Sequence, residues 1–135
     1  MEKIDWNPSF SVGVEVLDKQ HKQIIDMINL LRSNFKVDVL SETVSELLTR
    51  LTNYASDHFA TEEQLLEKYR YPELTVQKEA HKAYRMKVIA LSENTLSHKA
   101  SVPEELLQFL GDWWVNHILK TDMRYRPFFM ERGVT

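Results

Sequence analysis

The sequence predicts an all-α fold: an antiparallel up-down-up-down four-helix bundle with an N-terminal arm and a short C-terminal tail. Three observations predict it. Four stretches carry apolar residues at helical period, those stretches are bounded by capping or proline signals with short links between them, and strand-like alternation of useful length is missing. At 135 residues the chain reads as one domain, 1–135, long enough to bury a full core without disulfide or metal staples.

The first stretch, to about Val16, contains Pro8 and Gly13 and no helical period, and it reads as an ordered arm with Trp6 and Phe10 available to pack. Asp18 is placed to cap a first helix running to about Phe35, with Ile24, Ile25, Ile28, Leu31 and Phe35 on one stripe and His21 in line with them. Ser41 is placed to cap a second helix, to about Lys68, whose stripe is Val44, Leu47, Leu48, Leu51, Tyr54, Ala55, His58, Glu62 and Leu65. Tyr71-Pro72 breaks that pattern, and Pro72 suits the first turn of a third helix with Leu74, Gln77, His81, Tyr84, Val88 and Leu91 on one face. A polar connection over about Ser92 to Ala100 follows. Ser101 and Glu104 then have capping-box spacing, with Pro103 in the first turn of a fourth helix that carries Leu106, Phe109, Leu110, Trp113 and His117. Beyond Asp122 a basic-aromatic tail, Tyr125-Arg126-Pro127-Phe128-Phe129, reads as a lid on the bundle end.

Composition excludes several functions. Without cysteine there is no disulfide, thiolate metal site or cysteine nucleophile, and the chain fits a reducing compartment. A formal charge of −3 and the absence of any two adjacent Lys or Arg residues give no footprint for nucleic acid. No apolar run approaches membrane-spanning length, and Met1-Glu2-Lys3-Ile4-Asp5 is not a secretory signal, so the expected location is cytoplasmic.

What remains is a pattern of polar residues on core stripes. His21, His58, His81 and His117 fall on four different helices, and the topology puts all four in the same half of the bundle. Buried imidazoles are costly unless paired or bound to metal. Glu62 lies four residues after His58, on the same helical face, and Gln77 precedes His81 by the same interval. His117 and Asp122 are five apart, which an ideal helix does not align, so a widened turn such as a π-bulge is expected there. Imidazole and carboxylate without sulfur suit iron, zinc or manganese, and two carboxylates among four histidines suit a pair of ions. Glu63, beside Glu62, is turned off that face and reads as surface. His98, in the polar connection, reads as a solvated loop residue, and Trp113 and Trp114 read as core and rim.

These residues resemble the hemerythrin family in its bacterial single-domain form. The matching pieces are Trp6 in the arm, Asp18-Lys19-Gln20-His21, His58-Phe59-Ala60-Thr61-Glu62-Glu63, Tyr71-Pro72, His81, and Trp113-Trp114-Val115-Asn116-His117-Ile118 followed by Asp122. The resemblance implies two non-haem iron ions joined by an oxo or hydroxo bridge and by Glu62 and Asp122. It assigns His21 and His58 to the iron with the open position, where O2 is held as hydroperoxide, and His81 and His117 to the other. It also implies a third histidine on that second iron, where this chain has Gln77, so Gln77 either ligates through its amide oxygen or leaves the position open. Ile24, Ile25, Trp113 and Ile118 are the expected walls of a dry pocket.

The implied function is O2 carriage, storage or delivery, with O2 as ligand and a separate redox or O2-using protein as partner. The alternatives are a di-iron enzyme reducing peroxide, O2 or NO, and an O2 or redox sensor module. A ferritin-like site is disfavoured because its Glu-x-x-His motif does not occur in this chain.

Overall fold

The computed structural model describes residues 2–34, 42–96 and 104–135. Four long helices form the body: α1 (Glu15–Asn34), α2 (Glu42–Lys68), α3 (Leu74–Leu96) and α4 (Glu104–Asn116). Each packs on the next and α4 returns to α1, closing a four-membered ring. No strand occurs among the described residues. The capping assigned to Ser41, Ser101 and Pro103, the end of the first helix at Phe35 and the placement of His98 fall outside the described residues.

Two apolar clusters lie along the bundle. The larger contains Ile24, Ile25, Ile28, Leu48, Leu51, Phe59, Tyr84, Val88, Leu110, Trp114 and Ile118. The smaller, at one end, contains Val12, Val14, Leu17, Leu66, Tyr71, Tyr125 and Phe129. On each helical segment a buried polar residue falls between the two: His21 between Leu17 and Ile24, Glu62 between Phe59 and Leu66, Gln77 and His81 between Tyr71 and Tyr84, and Asp122 between Ile118 and Tyr125. Burying one large apolar side chain is worth roughly 1.5–3 kcal/mol. The two clusters therefore hold a costly polar layer between them.

Several boundaries differ from expectation. Helix α1 begins before Asp18, because Asp18 N already bonds Val14 O at 2.9 Å. The Asp18 carboxylate instead turns back on the arm, accepting from Val12 N at 2.8 Å and Ser11 Oγ at 2.6 Å. The arm also exchanges two 2.8 Å bonds between the Ile4 backbone and the Asn29 side chain, and Trp6 stacks on Phe10. Helix α2, by contrast, ends at Lys68 as expected, and Arg70 follows as the one non-glycine residue with positive φ (58°) among those described, where Tyr71 N bonds back to Leu66 O. Pro72 sits in the following turn, two residues ahead of α3. Ser92 does not open a polar link. It is buried inside α3, with its hydroxyl on Val88 O. Of the adjacent pair on α2 it is Leu66 that is fully buried, while Leu65 packs at the edge of the end cluster.

The sharpest local feature follows His117. Five residues in an α-helix turn by about 500°, leaving i and i+5 some 140° apart. Here His117–Thr121 form a π turn, and Asp122 N bonds His117 O, five residues back. The widened turn expected from the sequence brings Asp122 to the same side as His117. A 3-10 turn (Asp122–Tyr125) and a short helix α5 (Arg126–Glu131) then fold the tail across the bundle end, with Tyr125 and Phe129 fully buried. The tail is thus a helical lid.

Replacing Asp18 with Ala removes two bonds to a charged acceptor and frees the arm from α1. The expected cost is about 2 kcal/mol in urea unfolding of the metal-loaded chain; a change below about 0.5 kcal/mol would mean the tie is redundant.

Candidate metal centre

Four helices deliver seven polar side chains to the layer between the clusters. His21 comes from the second turn of α1, His58 and Glu62 from the second half of α2, Gln77 and His81 from the first half of α3, and His117 and Asp122 from the first residue of the π turn after α4 and the residue that follows that turn. All seven are buried, none more than 5% exposed. The convergence expected from spacing alone is present.

The donor atoms fall into two groups. His21, His58 and Glu62 offer atoms within 4.8 Å of one another, and so do Glu62, His81 and His117. Glu62 belongs to both. Its Oε2 lies 3.3 Å from His58 Nε2 and 3.7 Å from His21 Nε2, while Oε1 lies 3.0 Å from His81 Nε2. Asp122 spans the same gap: Oδ2 is 3.3 Å from His21 Nε2 and Oδ1 is 3.0 Å from His117 Nε2. Each carboxylate thus presents one oxygen to each group, the arrangement of a two-cation bridge.

Proximity has not produced hydrogen bonds. The Nε2 atoms of all four histidines, Glu62 Oε1, Gln77 Oε1 and both Asp122 oxygens are buried without a hydrogen-bond partner. Native interiors rarely leave such atoms unpaired, and a cluster of them aimed at one point is the donor set of a cation site. Two of the histidine lone pairs are also prepared from behind. His58 Nδ1 lies 2.7 Å from Gln20 Oε1, an acceptor, so it carries the proton and leaves Nε2 bare. His81 Nδ1 lies 2.7 Å from Glu63 Oε2 with the same result.

The electrostatics agree. Burial opposes a charge on His21, but Asp122 and Glu62 outweigh it and push its pKa up to about 9. Burial works to raise the Glu62 carboxyl, yet His21, His58 and His81 hold it well below the usual range. Burial lowers His58. A proton on His21 and a cation compete for one lone pair, so metal uptake expels that proton and weakens as pH falls below about 9.

Three supporting residues were not expected from the sequence. Glu63 is not surface: its carboxylate reaches sideways to His81 on α3 and is only 22% exposed. Gln20 orients His58. Tyr125, in the tail, is fully buried and donates to Glu62 Oε2 at 2.9 Å; burial, then Asp122 and Glu62, push its phenol well above its ordinary range, so it stays a donor. Each was hidden for one reason, that its partner lies on another segment. Trp113 and Trp114 exchange the roles expected of them: Trp114, not Trp113, is the fully buried residue, and it lies beside the His21 and His58 rings, with centroids 6.4 and 5.8 Å away. Trp113 instead stacks on His117 at 4.2 Å.

Gln77 is ambivalent in sequence and definite in orientation. Its Nε2 donates to Thr121 O at 3.4 Å, which leaves Oε1 as its free atom.

A helical bundle that buries paired imidazole groups around two shared carboxylates defines a cation-binding protein. Residues 12–129 match the family described as Hemerythrin HHE cation binding domain, and the chain belongs to the hemerythrin family. It is 31% identical over 127 residues to the bacteriohemerythrin of Stenotrophomonas maltophilia, covering 93% of this chain and 80% of that protein. It is 31% identical over 125 residues to the myohemerythrin of Theromyzon tessulatum, covering 93% of this chain and 92% of that protein. The crystal structure of a wild-type hemerythrin superposes with a TM-score of 0.85 at 31% identity, covering 93% of this chain and 97% of that one. Hemerythrins hold a di-iron centre, and the donor set assembled here fits one. Among the described residues no helix is long and apolar enough to cross a membrane.

Removing the carboxylate behind His81, by Glu63→Ala, is expected to weaken metal affinity by about 10–100-fold in chelator competition. Unchanged affinity would show that Glu63 does not prepare the ring.

Proposed function

We propose that this chain, read as a single hemerythrin-like domain over 1–135, is a non-haem di-iron O2-binding protein acting in O2 carriage, storage or delivery. The observation that carries the reading is the pair of donor groups that share Glu62 and Asp122, with their inward atoms unpartnered. In this assignment His21 and His58 hold one iron, His81 and His117 hold the other, and Gln77 offers the second iron its amide oxygen. Two ferrous ions, when bound, supply the two electrons that let O2 bind and leave without a co-substrate.

The chain's own residues do the rest. Gln20 and Glu63 keep Nδ1 of His58 and His81 protonated, so that Nε2 stays a donor to metal. Tyr125 fixes the Glu62 carboxylate. Ile24, Ile25, Trp114 and Ile118, each no more than 1% exposed, keep water from the site. A neutral amide oxygen is a weaker donor than imidazole, so the second iron is held less tightly than a third histidine would hold it. The lack of cysteine and of a membrane-crossing helix among the described residues supports a cytoplasmic location, where a separate redox or O2-using protein would be the partner.

The deciding measurement is iron content together with optical spectra before and after O2. Two irons per chain and a spectrum that reverses when O2 is removed support the reading; turnover of peroxide, O2 or NO with a reductant and no stable O2 spectrum would replace it with an enzyme. Gln77→His is expected to raise retention of the second iron against chelator, and unchanged metal content and O2 behaviour would refute the weak-donor argument. Ile118→Asn admits water to the wall and is expected to speed autoxidation on the order of tenfold; an unchanged rate would remove Ile118 from that role.

A further inference from the structure

A cleft of about 430 Å³ lies against the outer side of the metal centre, lined in part by Ala80, Asp112, Trp113, His117, Lys120 and Thr121. It reaches the half of the cluster that holds Gln77. His117 is 5% exposed, whereas His21 is fully enclosed. Thr121, on the cleft lining, is the residue whose carbonyl accepts from the Gln77 amide, and at 3.4 Å that bond is near the limit of length for a hydrogen bond. Gln77 therefore stands just behind the cleft wall, weakly tied, with a neutral oxygen as its free atom.

We infer that the position Gln77 would hold on the second metal is exchangeable, and that small anions reach it through this cleft. The inference rests on the paired-metal reading above and adds a second ligand entry to it. One cation at the mouth is available to an anion. Lys120 is exposed and has no ion-pair partner among the described residues, and it offsets the Asp112 carboxylate, whose two oxygens each accept a 3.0 Å bond from Gln108. The facing wall is an aromatic plate, Trp113, that stacks on His117 and leaves the ring's metal-facing edge free. A triatomic anion fits the cleft with room to spare. Its negative charge makes it a better donor to a ferric ion than the amide oxygen it would displace.

The test uses the full chain loaded with iron, oxidised to the ferric form and titrated with azide at low salt. Two azides per chain are expected by optical titration, and a crystal structure of the adduct should show one of them beside His117 and Gln77. Gln77→His should reduce the count to one. Ala80→Phe, which fills the cleft from α3 without touching the donor set, should slow the second binding phase on the order of tenfold and leave the first unchanged. Lys120→Glu should slow the same phase at low salt, with the difference vanishing at high salt. A single azide beside His21 and His58 in the unmodified chain, the same count in Gln77→His, or a second phase insensitive to Ala80→Phe would overturn the inference while leaving the paired-metal reading intact. Fewer than two irons per chain would overturn both.

Discussion

Everything in this fold is arranged around the burial of two carboxylates among four imidazoles. Glu62 and Asp122 are fully enclosed, and desolvating a carboxylate costs several kcal/mol unless something returns the lost charge stabilisation. Protein groups return only part of it. Tyr125 donates one bond to Glu62, and His21 retains a proton for the pair. All but one of the buried unpartnered side-chain atoms among the described residues belong to this layer, the exception being Arg32 Nε. Each such atom costs about 1–3 kcal/mol. A helical bundle carries that burden because apolar clusters lie on both sides of it, and because cations recover it when they bind.

The division of labour among the helices follows from spacing. An interval of four places His58 with Glu62 and Gln77 with His81, so α2 and α3 each send two groups to one level. The fourth segment needs a different device, since its carboxylate comes five residues after its histidine. The π turn supplies it at the cost of regular hydrogen bonding over one turn. Around this layer the orienting groups come from elsewhere: Gln20 from α1 to a ring on α2, Glu63 from α2 to a ring on α3, Tyr125 from the tail to α2. The layer is therefore stitched across helices by its outer contacts as well as its inner ones.

That stitching marks the limit of what the sequence discloses. Helix periodicity reveals which residues face inward, and it placed His21, His58, Glu62, Gln77, His81 and His117 correctly in the interior; the five-residue step to Asp122 was enough to anticipate the widened turn. Periodicity on one helix is blind to a neighbour on the next. Glu63 is about 100° around from Glu62, yet its side chain is long enough to bend to His81. Tyr125 lies beyond a π turn, at the end of a 3-10 turn, where the phase of the preceding helix no longer predicts direction. Asp18 has the residue type of a cap but bonds the arm, because the carbonyl of Val14 already starts the helix. Ser92 was misplaced because a serine that bonds its own helix at i−4 has lost its polar demand and buries like alanine.

The turn after His117 also bears on how such a chain can vary. Elsewhere on a bundle, losing or gaining a residue in an exposed segment shifts a loop and little more. Between Ile118 and Thr121 the widened turn absorbs a spare residue and so aligns Asp122, and everything after it inherits that phase. A one-residue deletion there would leave an interval of four, which a regular helix aligns as it does His58 and Glu62, whereas one further residue would swing Asp122, Tyr125 and Phe129 together by about 100°. A shared carboxylate, its phenol anchor and the hydrophobic seal would then be lost in one event. The segment has the exposure of a surface helix at Leu119 and Lys120 and yet no room to lengthen, so among descendants of this chain its sequence can drift far more readily than it can gain a residue.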